Sequence, residues 1–159
     1  MNIVVSISKQ TLTLFDDAGG LLHCYTVSTA LNGPGEEANS HCTPRGLHII
    51  RAKIGADQPV DTVFVRRRPT GEIYTPQLGA QFPGRDWILT RILWLSGCEP
   101  GYNRLGSCDT MRRYIYIHGT TEERGVGLPR SHGCINMLNE DLLELFELVS
   151  VGVMVHISA

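Results

Sequence analysis

The chain has 159 residues, a formal net charge of −2 and a pI near 6.3. That length suits a single domain, residues 1–159, large enough to bury a real core. A near-neutral balance leaves no electrostatic footprint for nucleic acid, and the one basic run, Arg66, Arg67 and Arg68, reads as a solvated or anion-facing strand edge.

Residues 2–8 and 11–15 alternate apolar and polar side chains at strand spacing, and residues 16–20 turn the chain into a third strand over 21–29. A polar loop over 32–40 leads through Thr43, Pro44, Arg45 and Gly46 into a strand over 47–53. A further strand is expected over 60–68, with Pro69, Thr70 and Gly71 as its turn. Residues 76–86 are rich in Pro and Gly. The apolar run 87–95 is read as strand from its β-branched and aromatic content. It is far shorter than the ~20 residues of a spanning helix and is interrupted by Arg91, so no membrane segment is expected. The following loop offers Glu99, Asn103, Arg104 and Asp109 as a substrate wall or as a solvated turn. Residues 139–149 read as a helix with Asn139 as N-cap, Glu140 and Asp141 in the first turn, and Leu142, Leu145, Phe146 and Val149 at core spacing. Residues 153–157 close the chain as a strand. The sum is a mainly β domain, two packed sheets with one clear helix.

Cys24, Cys42, Cys98, Cys108 and Cys134 are odd in number and form no evident framework, which suits free thiols in a reducing compartment. The first residues lack a basic stretch, a long apolar run and a small-residue cleavage site, so they do not read as a signal peptide. The expected location is the cytoplasm.

The chemistry concentrates in residues 118–136, which set His118, His132 and Cys134 among glycines. Tyr114, Tyr116 and His118 share one face of a strand, Ile115 and Ile117 the other. A thiol acts as nucleophile when an imidazole takes its proton, and that base needs a group to hold its tautomer. His118 supplies the base and the Gly119 carbonyl the orienting acceptor, while the Gly133 and Cys134 amides suit a developing oxyanion. From the residues alone two other readings stay open: a buried inert thiol beside structural histidines, and a zinc site from His118, His132 and Cys134. The spacing of that trio matches no usual zinc framework.

His118-Gly119, followed after a loop by Ser131-His132-Gly133-Cys134-Ile135, resembles the signature of the L,D-transpeptidase (YkuD) family of peptidoglycan enzymes. Thr43-Pro44-Arg45-Gly46 resembles a second motif of that family, and the likeness extends over nearly the whole chain. The resemblance implies a β-sandwich-like YkuD fold with Cys134 as acylated nucleophile, His118 as base, Gly119 as its orienting carbonyl and Gly133 beside the oxyanion. It places Ser131, His132, Asn136, Arg130 and Tyr116 around the substrate. Asn136 stands where the family usually has Arg, so carboxylate recognition passes to other cations, with Arg130 nearest in sequence and Arg104 or the Arg66–Arg68 run behind it.

The implied reaction is attack of Cys134 on the third residue of a peptidoglycan tetrapeptide stem, release of D-alanine and formation of a thioester. Water as acceptor makes an L,D-carboxypeptidase of muropeptide recycling, the reading that fits a cytoplasmic chain. An amine from another stem makes a cross-linking L,D-transpeptidase of the envelope, and an inactive stem-binding module is the non-enzymatic alternative. Covalent reaction with carbapenems is expected, and no metal or cofactor.

Overall fold

The structure is a computed structural model and describes residues 1–122 and 124–159. Its strands are β1 (Asn2–Ser6), β2 (Thr11–Phe15), β3 (Leu21–Ser28), β4 (Gly46–Ile54), β5 (Thr62–Val65), β6 (Arg68–Ile73), β7 (Ile88–Gly97), β8 (Tyr116–Gly119), β9 (Ile135–Met137) and β10 (Met154–Ser158). Helix α1 spans Pro76–Gln81 and α2 Asn139–Leu148. The order β4-β10-β1-β2-β3-β9-β8-β7 is closed by pairing of β7 back to β4, and the β5–β6 hairpin branches from β7. The two expected packed sheets are therefore opposite walls of one barrel-like sheet. The mainly β expectation holds.

Alternation along the strands builds the interior. Ile3, Val5, Leu12, Leu14, Ile117, Ile135 and Met137 are wholly buried and join Leu142, Leu145 and Phe146 of α2 in one continuous core. Each such side chain contributes roughly 1.5–3 kcal/mol by leaving water. Ile117 and Ile135 face each other across the parallel β8–β9 pair, so a charge at either would expel the strands that carry the site. A period of two sends their neighbours outward. Tyr116 and Cys134 accordingly belong to a separate outer cluster with Phe64 of β5, Ile88 and Ile92 of β7, and Trp94. That outer face, under the β5–β6 hairpin, is where the site lies.

Two local expectations are corrected, and one segment without an expected element is defined. The strand expected over 60–68 breaks after Val65: Val65 pairs with Arg68, and Arg66 and Arg67 form a two-residue turn with φ of 50° and 63°. Both central residues of such a type I′ turn need positive φ, which costs a non-glycine residue roughly 1–2 kcal/mol. Pro69 and Gly71 instead lie within β6, an edge strand where a missing N–H is tolerated.

Within 76–86 the chain forms α1. Thr75 caps it by accepting from the Leu78 amide at 3.1 Å, and Pro76 occupies the first turn, where its fixed φ is an asset.

Asn139 does not cap α2, whose N-cap position is Leu138 with no side-chain bond. The Asn139 amide is spent on tertiary contacts, accepting from Thr90 Oγ1 at 2.7 Å and donating to Asp61 Oδ1 at 2.8 Å. The first-turn acids Glu140 and Asp141 still favour the helix start.

Candidate active site

In the β8–β9 register His118 lies opposite Asn136, and two residues earlier, just before β9 begins, Tyr116 meets Cys134, its amide donating to the sulfur at 3.3 Å. Two parallel strands thus hold Tyr116, His118, Cys134 and Asn136 on one outer surface. The sulfur also contacts the Tyr114 carbonyl at 3.4 Å.

His118 is buried, and its Nδ1 lies 2.7 Å from the Gly119 carbonyl. A carbonyl only accepts, so Nδ1 carries the hydrogen and Nε2 keeps its lone pair. Gly119 is required by close approach: a Cβ there would collide with Asn139 Oδ1 and the Leu89 carbonyl. The histidine, its orienting carbonyl and the glycine between strand and helix form one device.

The turn before Cys134 is equally constrained. Gly133 has a φ of 129°, and a Cβ would press on the Cys42 carbonyl and Ile115 at 3.1 Å. Ser131 Oγ donates to the Cys134 carbonyl at 2.5 Å and accepts from the Gly133 amide at 3.2 Å. Buried Thr43, from the Thr-Pro-x-Gly motif, donates to the Gly133 carbonyl at 2.9 Å and accepts from the Ala30 amide at 2.9 Å. Arg113 donates to the carbonyls of Gly35, Glu36 and Cys42 and so ties the 35–42 loop to the same wall.

Burial pushes the Cys134 thiol up to about 12, and the Tyr116 amide and Arg113 offset only part of it. Burial likewise pushes His118 below the ordinary histidine value, against the opposing pull of Asp86 and the Gly119 carbonyl. The resting pair is therefore a neutral thiol beside a neutral imidazole. Proton transfer must accompany attack.

Cys134 and His118 open into a cavity of about 400 Å³ whose wall includes Tyr116, Ser131, His132 and Asn136. Arg66, Arg67 and Arg113 also line it, with Asp86 as the one carboxylate among the described residues. Among the described residues none of these arginines is paired with a carboxylate.

The structure thus brings together most of the residues singled out by sequence, with altered roles. Ser131 braces the loop through both of its bonds. Exposed His132 stands on the rim, edge-on to His41 at 6.0 Å. The Tyr116 hydroxyl accepts from Arg67 Nη1 at 2.9 Å. Asn136 is buried, and its Oδ1 has no hydrogen-bond partner among the described residues. The Gly133 amide, expected at the oxyanion, is instead taken by Ser131 Oγ.

Arg130 does not join the cavity wall; it is exposed and donates to the Arg124 carbonyl. Nor does the 96–110 loop supply a wall. Glu99 accepts from the Leu47 amide, Asn103 donates to the Arg45 and Leu47 carbonyls, and Asp109 accepts from the Leu105 and Arg112 amides. Among the described residues no group of three His, Cys, Asp or Glu converges as a metal site, and no helix is long and apolar enough to cross a membrane. Asp86, Arg113 and the specific roles of Arg66 and Arg67 were not readable from sequence, because partners distant in the chain create them.

The family model for the YkuD L,D-transpeptidase catalytic domain matches residues 1–157. The chain is 34% identical over 110 residues to the probable L,D-transpeptidase YbiS of Escherichia coli strain K12, covering 67% of this chain and 35% of YbiS. It spans about a third of that relative's length.

Among solved structures, an L,D-transpeptidase from Mycobacterium smegmatis aligns with a TM-score of 0.58 at 22% identity, over 99% of this chain and 58% of that one. L,D-transpeptidase 3 from Mycobacterium tuberculosis, in complex with a faropenem-derived adduct, aligns with a TM-score of 0.59 at 17% identity, over 99% and 59% of the two chains. At these identities the likeness is one of fold.

Proposed function

The chain belongs to the YkuD family of L,D-transpeptidase catalytic domains, and from that premise we propose that it is an L,D-carboxypeptidase acting on peptidoglycan tetrapeptide stems. The observation that carries this reading is that Cys134 and His118 line one cavity together with Arg66, Arg67 and Arg113. Cationic walls suit a peptide rich in carboxylates.

In the forward half, Cys134 Sγ attacks the carbonyl of the third stem residue while its proton passes to His118 Nε2. With the Gly133 amide engaged, the Cys134 amide is the backbone donor left to the oxyanion. Collapse breaks the bond to D-alanine, whose nitrogen takes the proton from His118, and leaves a thioester on Cys134. In the second half His118 takes a proton from water, the resulting attack releases the stem, and the thiol is restored.

The same arginines favour water as acceptor, since an ammonium approaching the thioester meets like charge and a water molecule does not. Asp86, a carboxylate in the cavity wall, supports the second reading, in which an amine from another stem is received and a cross-link forms. The unpaired state of Cys24, Cys42, Cys98 and Cys108 supports a place in a reducing compartment, hence in muropeptide recycling.

Incubation with disaccharide tetrapeptide, followed by mass spectrometry, tests the proposal. Loss of one alanine is expected. A cross-linked dimer would favour the transpeptidase, and unchanged stem that remains bound would indicate a binding module. Cell fractionation tests the location, and protein outside the cytoplasm would overturn that part.

A further inference from the structure

Arg66 and Arg67 occupy the tip of the β5–β6 hairpin in a backbone conformation that Asn and Gly adopt far more readily. Strain of this kind persists where surrounding structure enforces it and use is made of it. The enforcement is visible. The Arg67 guanidinium lies 4.8 Å from the Trp94 ring centre and 4.7 Å from that of Tyr114, and it donates to the Tyr116 hydroxyl at 2.9 Å. Tyr116 is the residue whose amide donates to the Cys134 sulfur. Arg67 therefore clamps the hairpin tip to the strand carrying the site, through cation–π contacts with two rings and a hydrogen bond to a third. Its neighbour Arg66 remains exposed and lines the same cavity as Cys134.

We propose that this tip is the carboxylate-recognition element: Arg66 pairs with the free C-terminal carboxylate next to the scissile bond, and Arg67 is the positioning residue that holds Arg66 there. The inference rests on the hydrolytic reading of the site. It gives that reading a specificity determinant, a substrate ending in a free acid. The role expected of Arg130 passes to a residue distant in sequence that the fold brings to the cavity.

The test measures binding in a Cys134→Ala background, so that it does not depend on turnover. The ligands are a tetrapeptide stem ending in a free D-alanine carboxylate and the same stem as its amide. A charged hydrogen bond to carboxylate corresponds to roughly a 10- to 100-fold preference for the acid. Arg66→Asn, which suits a type I′ turn, should abolish the preference while the thermal midpoint stays at or above that of the parent.

Arg67→Gln should reduce the preference with a smaller effect on the amide, and Arg67→Lys should restore less than the full value because a single ammonium cannot meet both rings and the Tyr116 hydroxyl as the guanidinium does. Equal loss on acid and amide in Arg66→Asn would overturn the proposal, as would a retained preference. If the wild-type protein releases no alanine but the acid preference is present and Arg66-dependent, the hairpin assignment stands and the hydrolytic reading falls. If alanine is released with no acid preference, the hydrolytic reading stands and the hairpin assignment falls.

Discussion

Thr43 Oγ1 donates to the Gly133 carbonyl at 2.9 Å, joining the segment that leads into β4 to the turn that presents Cys134. The same hydroxyl accepts from the Ala30 amide. One buried side chain thus serves a donor 13 residues before it and an acceptor 90 residues after it. Thr43→Val removes both bonds with little change in shape. It should cost about 1–3 kcal/mol of stability, since two buried backbone groups lose their partner. Acylation by a carbapenem should slow as the turn loosens, and Thr43→Ser should recover most of both losses. A valine variant with unchanged unfolding midpoint and unchanged acylation would show that the bond braces nothing.

The neutral state of the Cys134–His118 pair has a direct chemical readout. With the thiol pushed up to about 12 by burial, its thiolate fraction near neutrality is about a thousandth of that of an ordinary thiol. Alkylation of Cys134 by iodoacetamide should therefore be slow at pH 7 and climb through pH 9 without levelling. A plateau between pH 5 and 8 would reveal a resting thiolate–imidazolium pair and sink this account. His118→Gln should slow acylation on the order of 10²- to 10⁴-fold, the range of a missing general base. Cys134→Ala should release no D-alanine while keeping the fold, and a carbapenem should add its mass to Cys134 alone.

A second buried histidine sets a pH limit on the fold. His48 is wholly buried, its Nδ1 3.0 Å from the Gly46 carbonyl and its Nε2 3.0 Å from Thr110 Oγ1. Burial pushes it down to about 4. The unfolded chain then takes the proton first as pH falls, so the contribution is full above about 6.5 and is lost as pH drops toward 4. The shift corresponds to about 3 kcal/mol, and burial of His118 acts in the same direction. Urea unfolding at pH 7.5 and 4.5 should show this decline in the wild type and a shallower one in His48→Gln. Identical declines in the two proteins would place the titration elsewhere.

How far the sequence could be read follows from where each interaction's partners lie. The alternation of Ile115 and Ile117 with Tyr116 and His118 is local, so the outward face of the catalytic strand was legible. So was the glycine after His118, whose carbonyl orients the ring from the next residue. The Arg66–Arg67 turn was hidden because neither residue carries a turn preference, and the cage of Trp94, Tyr114 and Tyr116 that holds Arg67 is assembled only by strand pairing. Asn139 has the chemistry of a cap, yet Thr90 and Asp61 claim its amide. For α1 a signal was present, Thr75 followed by Pro76, but its short length and its glycine masked it. The 96–110 loop has the composition of a binding surface, and its polar groups turn out to satisfy backbone.

Asn136 carries the last prediction. It lies opposite His118 in the parallel register, only 2% exposed, with Oδ1 unpartnered among the described residues. A buried acceptor left unpaired costs about 1–3 kcal/mol. Because the side chain lines the cavity, the proposed function assigns relief of that cost to a backbone N–H of the stem. Asn136→Leu, alike in branching and without the orphan oxygen, should leave thermal stability equal or higher. Stem binding in the Cys134→Ala background should weaken about tenfold, equivalent to about 1.4 kcal/mol. Acid and amide stems should be affected alike, since a neutral amide reads the peptide bond and leaves the terminal charge to other residues. Lower stability with unchanged affinity would make Asn136 a structural residue of β9. Selective loss of the acid stem would assign it the carboxylate instead.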